Sequence, residues 1–70
     1  MNITFVRDDL DKEEEKEIEV DQGLTVDQLL DDEGIERQEV LVSRNGTIIS
    51  GRHELEDGDR IRVFDVIAGG

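Results

Sequence analysis

The sequence predicts an α+β domain, a mixed sheet of four to five strands with one helix packed across it. Three observations lead there. Short runs in which apolar and polar residues alternate lie near both ends of the chain, as half-buried strands require. One amphipathic helix signal, with start and stop residues, lies between them. Asn45-Gly46 and Asp57-Gly58-Asp59 mark tight turns in the second half. A helix with one apolar stripe must bury it against a sheet face, and that arrangement defines the class.

Residues 2–7 read as the first strand, with Ile3 and Phe5 alternating with Asn2 and Thr4. Residues 8–15 are a charge run, expected as a solvated loop between two hairpin strands. The run lacks the glycine and the ligand spacing of a calcium loop. Residues 17–20 form the second strand, with Ile18 and Val20 facing inward.

The helix follows. Thr25 is placed as N-cap and Gln28 stands three residues later, the pattern of a capping box. Leu24 and Leu29 are spaced as a hydrophobic staple, and Val26, Leu29 and Leu30 share one face. Gly34 is suited to a left-handed C-terminal cap, after which Ile35 folds back on Leu30. Asp31, Asp32 and Glu33 crowd the negative end of the helix, where acid is unfavourable at low salt.

Residues 39–44 are the third strand, 47–50 a short fourth, and 60–66 the last. Leu55, in the loop 51–56, is expected to plug into the core. In the last strand Ile61 and Val63 face inward, so alternation turns Phe64 to the face away from the helix. Leu41 and Val42 cannot both be buried by the same rule, and one of them joins Phe64. A single domain over 1–66 is followed by a tail, Ile67-Ala68-Gly69-Gly70. The order strand, strand, helix, strand, strand, strand matches the β-grasp, or ubiquitin-like, architecture. There the first and last strands run parallel in the sheet centre.

Composition excludes several functions. Twenty acidic residues against 8 basic ones give a net charge of -12, which repels phosphate backbones and anionic lipid. The chain has no cysteine, hence no disulfide, zinc thiolate or cysteine nucleophile, in keeping with a reducing cytoplasm. No apolar run approaches the roughly 20 residues of a membrane span. An acid-rich surface with Lys12 and Lys16 as its only lysines resembles the proteins of salt-loving archaea, whose self-repulsion strong salt screens. Ser43 and Ser50 lack triad partners, and His53 stands alone in a polar loop as an ordinary surface residue, so neither catalysis nor a metal site is expected. No nucleotide-binding loop is present.

The ending has its own chemistry. Gly69 and Gly70 carry no Cβ, so the terminal carboxylate can thread a narrow enzyme channel. With this tail, Leu24-Thr25-Val26, Leu29-Leu30, Gly34-Ile35, Val42 with Asn45-Gly46, and Leu55-Glu56-Asp57-Gly58-Asp59-Arg60-Ile61 resemble the ThiS/MoaD class, above all its small archaeal modifier proteins. The resemblance covers nearly the whole chain, and its motifs are specific in combination. It implies that a ubiquitin-activating-type enzyme, using ATP and magnesium that this chain does not itself bind, adenylates the Gly70 carboxylate. The acyl group is then joined to a lysine of a target protein or converted to a thiocarboxylate. It implies no catalytic residue in this chain. It makes Gly70 and Gly69 the reacting end, and Phe64, Ile67 and Ala68 contacts for the activating enzyme. A monomer is expected. Two alternatives stand beside this reading: a dedicated sulfur carrier for molybdopterin or thiamine synthesis, and a β-grasp interaction domain whose tail does not react.

Overall fold

A computed structural model describes residues 1–8 and 12–66. The elements are β1 (Asn2–Asp8), β2 (Glu13–Glu19), α1 (Val26–Asp32), a 3-10 turn (Arg37–Glu39), β3 (Val40–Arg44), β4 (Thr47–Ile48) and β5 (Arg60–Asp65). They form a five-stranded sheet in the order β2-β1-β5-β3-β4. β1 and β5 are parallel, and every other neighbouring pair is antiparallel. This is the expected β-grasp.

The expectation for the charge run fails. Residues 8–15 are not all loop: Asp8 ends β1 and Glu13–Glu15 open β2, paired as Asp8↔Glu13 and Val6↔Glu15. β2 reads Glu-Glu-Glu-Lys-Glu-Ile-Glu and has almost no apolar alternation to reveal it. Its partner β1 recruits it into the sheet, and as an edge strand it need bury little. β2 therefore ends at Glu19. Val20 lies just outside it, donating its N–H to Met1 O at 2.8 Å.

The helix is built as its local signals require. Gln28 N–H donates to Thr25 Oγ1 at 3.3 Å and Thr25 N–H to Gln28 Oε1 at 3.0 Å, completing the capping box. The loop after β4 supplies the remaining first-turn acceptors. Val26 N–H donates to His53 O at 3.0 Å and Asp27 N–H to Gly51 O at 2.8 Å. Amides that helix geometry leaves unpaired are thus satisfied. At the other end Gly34 has φ +71°, Ile35 N–H reaches Leu30 O at 2.8 Å and Gly34 N–H reaches Asp31 O at 3.1 Å. These two bonds make a Schellman cap.

The core lies between α1 and one sheet face. Ile3, Phe5, Val26, Leu29, Leu30, Val40, Val42, Leu55, Ile61 and Val63 form it, with Ile18, Val20, Leu24 and Ile35 packed at its margin. The β3–β4 turn uses Asn45 and Gly46 at φ 50° and 90°, as a tight hairpin demands. β4 is shorter than expected and keeps only Thr47 and Ile48.

Candidate functional site at the carboxyl end of the sheet

Parallel pairing of β1 with β5 carries the last strand through the middle of the sheet. Its end is held from both sides. Arg7 donates through Nη2 to Asp65 Oδ1 at 2.7 Å and through Nη1 to Val63 O at 3.4 Å. Val66 N–H donates to Glu39 O at 2.9 Å. The chain therefore leaves the sheet from a fixed point beside β1 and β3. Ile67, Ala68, Gly69 and Gly70, expected as the contact and reacting residues, lie outside the described residues.

Phe64 stands on the sheet face away from α1, as alternation predicts. It is half-buried, directly opposite Asp8 on one side and Leu41 on the other. The choice between Leu41 and Val42 is resolved by register. Val42 faces the core opposite Val63, while Leu41 is 43% exposed beside Phe64. Ile48, opposite Ser43, and Val66 are also exposed, at 54% and 45%. An apolar margin thus runs along the outer face close to where the tail departs.

The rest of that face is charged, and it holds a residue that sequence alternation hides. Val6 points away from the helix, yet it is 0% exposed. It sits in the row Glu15–Val6–Arg62–Ser43. Arg62 reaches diagonally to Glu13 at 3.1 Å and Arg60 reaches Glu15, so both guanidinium arms cross above β1. The aliphatic stems of such arms cover apolar surface while the heads stay wet. Val6 is buried under this roof. Nothing near Val6 in the sequence signals it, because the arginines come from the far end of the chain.

A second polar cluster ties the β3–β4 turn to the loop before β5. Arg44 donates to Asp59 Oδ1 at 3.0 Å and to Glu56 Oε2 at 2.5 Å, and its Nη1 meets His53 Nε2 at 2.7 Å. Asp59 is buried, and its other oxygen accepts from Glu56 N–H at 2.8 Å. The hydrogen bond that Arg44 donates to Asp59 leads in raising the guanidinium above its ordinary value; burial opposes it, and the charges of Asp59 and Glu56 aid it. A raised cation keeps its full contribution below its unfolded value and loses it only as pH climbs through the folded one, so Arg44 stays charged across the neutral range. His53 is thus half-buried and bound to Arg44, not a bare surface residue. Its partner lies nine residues back at the end of β3 and has no local signature.

Among the described residues no three His, Asp or Glu side chains gather as metal ligands. A hollow of about 420 Å³ beside α1, bordered by Asp27, Leu30, Ile35 and Arg37, contains no nucleophile. No helix among the described residues is long and apolar enough to cross a membrane.

Comparison with known proteins agrees with this geometry. Two crystal structures of small archaeal modifier protein 1 (SAMP1) from Haloferax volcanii superpose with TM-scores of 0.74 and 0.73, both at 19% identity. The first is covered fully in both chains, the second over 94% of this chain and 98% of that one. A ubiquitin-like protein from the hyperthermophilic archaea Caldiarchaeum subterraneum gives 0.65 at 17% identity, over 99% of this chain and 100% of its own. At these identities the likeness shows the fold. No curated protein matches the sequence. A family model does: the one described as ThiS family matches residues 3–70, glycine pair included, and the chain belongs to that family.

Proposed function

We propose that this chain is a ubiquitin-like modifier and sulfur carrier whose reacting group is the Gly70 carboxylate. A carboxylate is a poor electrophile in water. A ubiquitin-activating-type enzyme, spending ATP with magnesium, converts it to an acyl-adenylate whose phosphate is a good leaving group. A target lysine amine then attacks the carbonyl carbon and AMP departs, leaving an isopeptide bond. A sulfur nucleophile at the sulfide level, attacking the same carbon with loss of AMP, gives a thiocarboxylate instead. The chain contributes no catalytic group to either step. Gly69 and Gly70 provide a slim end without Cβ atoms, while Phe64 with Leu41, and Ile67 with Ala68, meet the activating enzyme. The setting is the cytoplasm, where ATP is supplied, and the working form is a monomer.

The observation that carries this reading is the family match running through Gly70, on a sheet whose central strand delivers that end. A dedicated sulfur donor for a biosynthetic enzyme uses the same end and is favoured by the same match. Pyrophosphate exchange with the cognate activating enzyme tests the shared step. The full chain supports ATP-dependent exchange, and a chain lacking Gly69-Gly70 supports none while melting at the same temperature. Equal exchange by the truncated chain rejects both the modifier and the carrier, leaving a plain interaction domain. Mass analysis of native cells then separates the two: both readings replace one oxygen by sulfur at the free end, but only the modifier is also found joined to target lysines.

A further inference from the structure

β2 is an outer strand of the sheet, and among the described residues no strand pairs with its far side. The register shows which of its backbone groups are left open. Met1 and Val20 exchange both hydrogen bonds, N–H to O at 2.8 Å in each direction. In an antiparallel pair such closed pairs recur at every second residue. Ile3↔Ile18, Phe5↔Lys16 and Arg7↔Glu14 are therefore closed as well. Thr4 N–H, which turns away from β2 to donate to Asp59 O at 2.9 Å, agrees with that phase. Glu13, Glu15, Glu17 and Glu19 thus direct their N–H and C=O groups to the open edge. Such a row of unpaired groups is a template for another strand.

The surroundings of this edge differ between the two faces. On the outer face stand the side chains of the same four glutamates. Arg62 holds Glu13 and Arg60 holds Glu15, whereas Glu17 and Glu19 are exposed and have no cation among the described residues. On the helix face, two hollows lie along the margin between β2 and α1. One, of about 210 Å³, is bordered by Phe5, Lys16, Glu33 and Ile35. The other, of about 180 Å³, is bordered by Val20, Leu24 and Asp32. About 150 Å³ accommodates a benzene-sized group. Lys16 and Val20 are four residues apart, or roughly 13 Å along the strand.

We infer that this edge is a docking site for an extended segment of a partner protein in which basic and aliphatic residues alternate. The segment joins the sheet as a further strand beside β2. Its residues opposite Glu15, Glu17 and Glu19 exchange main-chain hydrogen bonds with them and lie on the outer face, where lysine or arginine meets each carboxylate. The residues between them lie on the helix face, and those opposite Lys16 and Val20 enter the two hollows. Main-chain bonds supply the affinity and the alternating side chains the specificity. A second copy of this chain does not fit. β2 against β2 sets glutamate against glutamate, and like charges directly opposed are destabilising. The site involves neither the adenylation step nor the residues that follow β5.

The full chain, isotopically labelled, is titrated at about 0.1 M salt, where exposed charges still act over about 10 Å. The probe is the peptide Gly-Lys-Val-Lys-Val-Lys-Val-Lys-Gly. Binding should saturate and slow amide exchange at Glu15, Glu17 and Glu19 at least about tenfold. A peptide of the same composition, with its lysines and valines in separate blocks, should bind at least about tenfold more weakly. Glu17→Lys with Glu19→Lys should weaken binding of the alternating peptide by at least about tenfold, since two attractive cross-strand pairs become repulsive. Asp31→Lys with Glu36→Lys makes the same change of charge beside the 420 Å³ hollow on α1, and should alter binding by less than about twofold. Absence of saturation, equal binding of the block peptide, or equal loss in the two double variants would overturn the inference. Unchanged exchange at the three glutamate amides, or perturbations centred on Leu41 and Phe64, would do the same, as would a dimer of the free chain that protects those amides. The exchange result on the unaltered chain decides the question even where a variant fails to fold.

Discussion

The two faces of the sheet are made from the same five strands by different chemistry. The face under α1 is closed by aliphatic packing, and Ile3, Ile61 and Val63 there have 1% exposure or none. The outer face carries Arg60, Arg62, Glu13 and Glu15 over one buried valine, with an apolar margin of Phe64, Leu41 and Ile48. Burial on the first face removes large apolar area from water and supplies most of the stability of so small a domain. Exposed ion pairs on the second contribute little each. The first face therefore makes the fold, and the second is left available for contact, beside the point where the tail departs.

This contrast can be broken by mutation. Ile61→Ala should cost about 3 kcal/mol, a large share of the stability of a small domain. A loss of that size lowers the melting temperature by more than about 12 °C. Val6→Ala on the outer face should cost about 2 kcal/mol, because Val6 is as buried as Ile61 although its cover is charged. Arg62→Gln should cost under about 1 kcal/mol. A melt series in which Arg62→Gln exceeds Val6→Ala would show that ion pairing, not packing, closes the outer face.

Phe64→Ala sharpens the functional half of the contrast. An aromatic anchor is worth about 2 kcal/mol or more at an interface centre, so docking on the activating enzyme should weaken by at least about thirtyfold. The melting temperature should fall less than for Ile61→Ala, since Phe64 is only half-buried. A variant that melts several degrees lower but is adenylated normally makes Phe64 a packing residue.

Salt gives the smallest and most general effect, and its sign is informative. The net charge of -12 destabilises the folded chain by self-repulsion, whereas the ion pairs on the outer face stabilise it. At 1 M salt the Debye length is about 3 Å, so both are screened. Twelve uncompensated charges outweigh a few exposed pairs, so the midpoint should rise as potassium chloride is added into the molar range. A flat or falling midpoint places the pairs above the repulsion.

What was legible in the sequence followed from how local its cause is. The helix was readable to the residue at its start, because Thr25 and Gln28 cap each other three residues apart. Gly34 and the Asn45-Gly46 turn were readable because their backbone angles suit few other residues. Parallel pairing of the first and last strands came from topology, and the outward phase of Phe64 from alternation along β5. Glu13–Glu15 were not readable as strand, since only pairing with β1 makes them one. The burial of Val6 and the binding of His53 to Arg44 were also hidden, because each depends on side chains from distant strands. The reacting end was named from its chemistry and from family resemblance, and Gly69 and Gly70 lie outside the described residues.

A methyl NMR titration tests the division between the faces most directly. The chain is labelled at its Ile, Leu and Val methyls and titrated with the activating enzyme. If the outer face and tail dock while the helix face only folds, Leu41, Ile48, Val66 and Ile67 shift or broaden first, and Val26, Leu29 and Leu30 hold their positions. Early changes at Leu24, Leu30 and Ile35 on the helix side, with Leu41 and Ile48 unmoved, would contradict it.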